Sequence, residues 1–157
     1  MIEGSYKKRP VILISACLAG LHTRYDGNSK PHPLLSDLAT RSVLVPVCPE
    51  ILGGLGIPRI PCRFYSGDGR DVIQGNARLI DRNGIDRTAE FLRGAEESAG
   101  VAKLVEPELI IFKEGSPSCG LRRVEIEGEK ADGCGVVTAL LMDTGIPIIS
   151  EEDPLPF

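Results

Sequence analysis

The chain has 157 residues, 42% of them hydrophobic and 25% charged, which excludes a disordered or fibrous protein and leaves room for one domain with a real core. Its formal net charge of -4, with no long Lys/Arg run, excludes an extended nucleic acid as partner. The longest apolar stretch, Val11 to Ile14 continued by Ala16 to Ala19, is far short of the roughly 20 residues a membrane helix needs, so no membrane is expected either.

Met1 to Pro10 carries Lys7, Lys8 and Arg9 ahead of that stretch and faintly imitates a signal peptide. The stretch contains Cys17, however, and runs into Arg24 and Asp26, so it reads as a buried strand of a cytoplasmic protein. In chain order, Val11 to Ile14 and Val43 to Val47 are short apolar runs without alternation, as expected of parallel strands covered on both faces. Between them Leu34 to Thr40 is a short helix with Ser36 as its cap. A long excursion follows, with a tight turn at Gly67-Asp68-Gly69 and a small hairpin formed by Ala77 to Asp81 before Asn83-Gly84.

Arg87 to Val105 is a longer helix with Asp86 at its N-cap and Phe91, Leu92, Ala95, Ala99 and Ala102 on one stripe; Pro107 lies just beyond it. Leu109 to Phe112 is the third strand. Gly135 to Thr144 is the last helix, closed by Gly145, and Ile146 to Ile149 is a fourth strand whose Pro147 requires an edge position. The alternation defines an α/β protein with a mostly parallel sheet wrapped by helices on both faces, in one domain spanning 1–157 with its core at about 10–152. Glu151 to Phe157, with two prolines, reads as a surface strap or frayed end.

Five cysteines cannot all pair, so the thiols are free, structural or metal-bound. Cys17, Cys48 and Cys119 share one address, the loop just after a predicted parallel strand, and such carboxyl ends are where ligand sites assemble in open α/β sheets. They meet in space on this reading although they lie 31 and 71 residues apart. Cys62 and Cys134 fall in irregular segments. Three readings stand side by side: buried core thiols, a structural zinc completed by Cys62, Cys134, His22 or His32, and an iron–sulfur cluster, since thiolates select soft metals. His22 and His32 read as surface groups. Gly53-Gly54-Leu55-Gly56 and Gly115 to Gly120 let backbone N–H groups approach a bound object. Arg24, Tyr25, Asp26 and Lys30 lie just beyond Cys17 as substrate-binding candidates, and Glu50 lies two residues after Cys48.

The strings themselves are similar to a known family. Ile14 to Gly20 with Arg24-Tyr25-Asp26-Gly27, then Cys48-Pro49-Glu50 with Gly53-Gly54-Leu55 and Pro58-Arg59, then Lys113 to Gly120, resemble the DUF523 family, whose characterised activity is that of a thiouracil desulfurase. The resemblance implies a Rossmann-like α/β domain with a [4Fe-4S] cluster held by Cys17, Cys48 and Cys119 and one iron left without a protein ligand. It further implies a thiolated pyrimidine as the small-molecule partner, its sulfur captured by that iron and replaced by water oxygen without net redox chemistry. Glu50 and Ser116 then carry over as proton-transfer or substrate-orienting groups. A cluster- or zinc-binding sensor, and a cofactor-free nucleobase-binding domain, are the competing readings.

The chain departs from the family pattern at Pro61-Cys62-Arg63, where a thiol and a cation are introduced. It departs again in the charged segment from Gly120 to Gly133, which holds Arg122, Arg123, Glu125, Glu127, Glu129 and Lys130. Cys134 is likewise unusual and is expected to be an incidental core residue.

Overall fold

A computed structural model describes residues 8–157. Met1 to Lys7, which carry most of the basic leader-like segment, lie outside the described residues. Four parallel strands form the central sheet: β1 (Val11–Ser15), β2 (Val43–Val47), β5 (Leu109–Phe112) and β8 (Ile148–Ser150), in the order β2-β1-β5-β8. Period-two geometry sorts their apolar runs into two cores. Leu13, Ile110 and Phe112 face the larger core, whereas Ile12, Ile14, Leu109 and Ile111 face a smaller one with Leu18 and Leu38. The expectation of burial on both faces holds for β1 and β5. It fails for β2, an edge strand whose Val43 is exposed, and that edge is what tolerates Pro46. Pro147 likewise precedes the opposite edge strand.

The helices fall close to their expected places with different caps. Helix α1 is Leu35–Arg41, preceded by Leu34 at an N-cap with no side-chain bond, so Ser36 is not the cap. Helix α4 is Thr88–Val105 with Arg87 at the N-cap; Asp86 acts from one residue further back, its carboxylate accepting the Thr88 N–H at 2.9 Å. Helix α5 (Val136–Leu141) runs into a 3-10 turn, Met142–Thr144, and stops at Gly145 with φ 79°.

A second sheet, absent from the sequence reading, occupies the excursion and the charged segment. Its strands are β3 (Cys62–Tyr65), β4 (Arg78–Asp81), β6 (Arg123–Ile126) and β7 (Glu129–Asp132), in the order β4-β3-β6-β7. The expected small hairpin is present in reduced form: beyond Asn83-Gly84 the chain turns back on β4 through the Ile80 to Asp86 bridge, with the Asp81 N–H donating to the Ile85 carbonyl at 2.9 Å and the Arg87 N–H to the Leu79 carbonyl at 2.8 Å, while the main partner of β4 is β3, antiparallel. The expected tight turn at Asp68 is the start of helix α3 (Gly69–Ile73), where Asp68 and Asp71 form a reciprocal capping box. Phe64, Leu79 and Val124 join this sheet to the larger core. The terminal strap is tied down, with the Arg41 guanidinium donating to the Phe157 carbonyl at 3.0 Å.

Short helix α2 (Pro49–Leu52) rests directly on α4, and glycine makes this possible. A Cβ on Gly94 would collide with the Pro49 carbonyl, and one on Gly53 would collide with the Glu90 carbonyl. Gly94→Ala is therefore expected to destabilise the protein by about 2 kcal/mol through overpacking against rigid backbone. Gly100→Ala, on the open side of the same helix, is expected to stabilise it by roughly 0.5–1 kcal/mol. Urea unfolding of both variants checks the pair.

Candidate active site

Strands β2, β1 and β5 are adjacent, so their carboxyl ends lie side by side. Cys17 sits in the turn after β1, Cys48 is the N-cap residue of α2 directly after β2, and Cys119 closes the loop after β5. All three line one cavity of about 250 Å³, with Arg24, Tyr25, Glu50 and Ser116 also on its wall. Ser15 links two of these loops, its Oγ accepting the Lys113 N–H at 2.9 Å.

Burial raises the pKa of each of the three thiols. Their proximity adds to this: Cys48 raises Cys17, and Cys17 and Cys48 raise Cys119. Lys113 and Arg24 pull Cys17 the other way. Among the described residues no group of three His, Cys, Asp or Glu side chains is placed to hold a single metal ion. Cys62 and Cys134 are not on this wall. Cys62 opens β3, and Cys134 is a buried core residue whose N–H donates to Asp68 at 3.0 Å.

Burial pushes the Glu50 carboxyl upward, against the Arg59 guanidinium that lies 3.5 Å from its Oε2. Ser116 Oγ accepts the N–H groups of Ser118 and Cys119, both at 3.1 Å, and so shapes the loop that presents Cys119. The Arg24 guanidinium stands 5.9 Å from the Tyr25 ring centre, and Tyr25 is partly exposed. Asp26 and Lys30 do not line the cavity. The Asp26 carboxylate accepts the N–H of Asn28 in its own turn, and Lys30 contributes its backbone N–H to the Cys17 carbonyl at 3.0 Å. His32, expected at the surface, is buried because its Nδ1 accepts the Leu34 N–H and its backbone bonds Leu18.

Sequence reading assigned no role to Arg59, Lys113 or Glu114, all of which line the cavity. Lys113 Nζ is held by the Glu114 carbonyl at 2.8 Å and by Glu151 at 2.6 Å. Glu114 is almost wholly buried, and its Oε1 accepts backbone N–H groups of Gly115, Leu121, Arg122 and Arg123. Its chemistry was hidden because the donors come from across the loop. In the sequence Glu114 stood out only as a member of the Lys113 to Gly120 string.

The fold and cavity define an α/β protein whose ligand site lies at the carboxyl edge of a parallel sheet and presents three thiols. The chain belongs to the 2-thiouracil desulfurase family, whose sequence model matches residues 12–153. It is 36% identical over 146 residues to the uncharacterized protein YbbK of Bacillus subtilis (strain 168), covering 91% of this chain and 97% of that one. Among solved structures it resembles the [4Fe-4S]-dependent thiouracil desulfidase TudS, with a TM-score of 0.76 and 38% identity over 93% of this chain and 92% of that one.

Burial raises the pKa of the Glu114 carboxyl, but the four backbone donors outweigh it and the net shift is downward. Its folded value lies below its unfolded one, so its stabilisation is present above about pH 4.5 and lost as pH falls through the folded pKa. Glu114→Gln should therefore be less stable than wild type by about 2 kcal/mol at neutral pH, with the gap narrowing on acidification, as denaturant unfolding between pH 3 and 7 will register.

Proposed function

We propose that this protein removes sulfur from a thiolated nucleobase of the 2-thiouracil kind, water supplying the replacing oxygen and hydrogen sulfide leaving. The overall change, C=S plus water to C=O plus hydrogen sulfide, is redox-neutral. The observation that carries this reading is the meeting of three thiols from three strand ends in one cavity with the Glu50 carboxyl and the Ser116 hydroxyl beside them.

The donor set fits a [4Fe-4S] cluster. Cys17, Cys48 and Cys119 are soft ligands whose mutual repulsion a cationic centre relieves, and no fourth cysteine stands on the wall. When bound, such a cluster supplies an iron free of protein ligands, a Lewis acid for the substrate sulfur. The protein's own groups handle binding and protons. Arg24 and Tyr25 offer a cation and an aromatic face at the cavity for the pyrimidine ring. The Glu50 carboxyl, raised by burial against the pull of Arg59, exchanges a proton with the attacking water or the ring nitrogen. The Ser116 hydroxyl accepts two loop N–H groups and is left with its own hydrogen to donate to the substrate. We place the protein in the cytoplasm, where such thiols stay reduced.

Anaerobic reconstitution followed by iron and sulfide analysis, with a sulfide-release assay on 2-thiouracil, tests the reading. Replacing Cys17, Cys48 or Cys119 by alanine should sharply lower cluster content. Glu50→Gln should keep the cluster while lowering kcat by roughly 10²- to 10⁴-fold. Wild-type protein that carries its full cluster yet releases sulfide from no thiolated base would sink the enzymatic reading in favour of a sensor.

A further inference from the structure

Arg59 is the least expected group on the cavity wall. Its side chain is only 7% exposed, and an arginine is rarely buried so far without fixed partners. Its donors fan out to three segments. Nη2 reaches the Thr23 carbonyl at 2.9 Å and the Glu50 carboxylate at 3.5 Å, and Nη1 reaches the Gly56 carbonyl at 3.2 Å. Its backbone N–H donates to the Tyr25 carbonyl at 2.8 Å. One residue thereby ties the loop after β1 to helix α2 and to its own loop.

Two of these contacts end on groups that face the site. Glu50 is the proposed proton-transfer group. The Thr23 carbonyl that accepts from Arg59 also lies 3.8 Å from the Cys48 Sγ. The guanidinium therefore sits behind both a cavity carboxylate and the carbonyl that touches a cavity thiol. Its Nε is buried with no partner, so the Glu50 contact is a single bond where a side-on pairing would give two. That looser contact holds the carboxylate near the cavity without locking it to the guanidinium.

Resting on the desulfuration reading, we infer that Arg59 is a positioning residue that holds the Glu50 carboxylate and the Thr23 carbonyl in register with Cys48. Charge alone does not satisfy this role. A lysine keeps the stem and the positive charge but lacks the planar fork that spans Thr23, Glu50 and Gly56 at once.

The test compares anaerobically reconstituted wild type with Arg59→Lys and Arg59→Met. In Arg59→Lys, cluster content and thermal midpoint should stay near wild type while kcat falls about 10-fold or more and KM moves less than about 3-fold, because misplaced groups slow the chemistry rather than binding. Arg59→Met should lose about 100-fold or more, and if it fails to fold, Arg59→Lys alone decides. The electron paramagnetic resonance of the reduced cluster should shift in both variants through the Thr23 contact to Cys48. A wild-type kcat and an unshifted spectrum in Arg59→Lys would overturn the inference, as would a kcat loss explained entirely by unfolded protein. If wild type carries a cluster but releases no sulfide, the desulfuration reading fails and the spectra alone judge Arg59. Wild type that takes up no cluster overturns both.

Discussion

Three thiols, Cys119 buried and Cys17 and Cys48 half-buried, crowd one cavity at the mouth of a parallel sheet; burial raises the pKa of each, and neighbouring thiols add to it at Cys17 and Cys119. Left alone, burial and proximity keep them protonated. A soft cationic centre converts the same crowding into an advantage, because thiolates that repel each other are drawn together by shared metal. Arg24, Arg59 and Lys113 on the same wall partly offset the negative charge that three thiolates bring.

Sheet topology creates the crowding. Neighbouring strands run about 4.8 Å apart, so residues that follow adjacent parallel strands emerge side by side however far apart they are in the chain. The order β2-β1-β5 thus gathers Cys48, Cys17 and Cys119. The rest of the fold braces those three loops. Helix α4 supports α2 through contacts that only glycine allows at Gly53 and Gly94. The buried Glu114 carboxylate folds the segment beyond Cys119 back on itself, and Glu151, from the end of β8, holds both the Lys113 ammonium and the Glu114 N–H.

The four strands of the central sheet and the three longer helices were legible because their burial is written as apolar runs and a 3.6-residue stripe. The second sheet was not. Strand β7 is Glu-Lys-Ala-Asp and largely exposed, and the alternation of β6, Arg-Val-Glu-Ile, is only four residues long and set among charged residues, so its inward Val124 and Ile126 did not stand out. Helix α3 escaped for a related reason: five residues opening on glycine look like a turn until Asp68 and Asp71 are seen to cap one another. Strand β2 was read as fully covered because an apolar run does not reveal which strand lies at an edge.

At the site the same division holds. Cys17, Cys48 and Cys119 reach one cavity wall, as their positions just after strand ends led one to expect, and Glu50 and Ser116, singled out by the family resemblance, line the same wall. Asp26 and Lys30 were placed near Cys17 by the same logic, but a turn of several residues has enough freedom to send them elsewhere. Arg59, Lys113 and Glu114 belong to tertiary structure alone. Their partners lie in segments brought close by the sheet and the loops around it, so the residue type announced a charge and only the folded chain decided what that charge would hold.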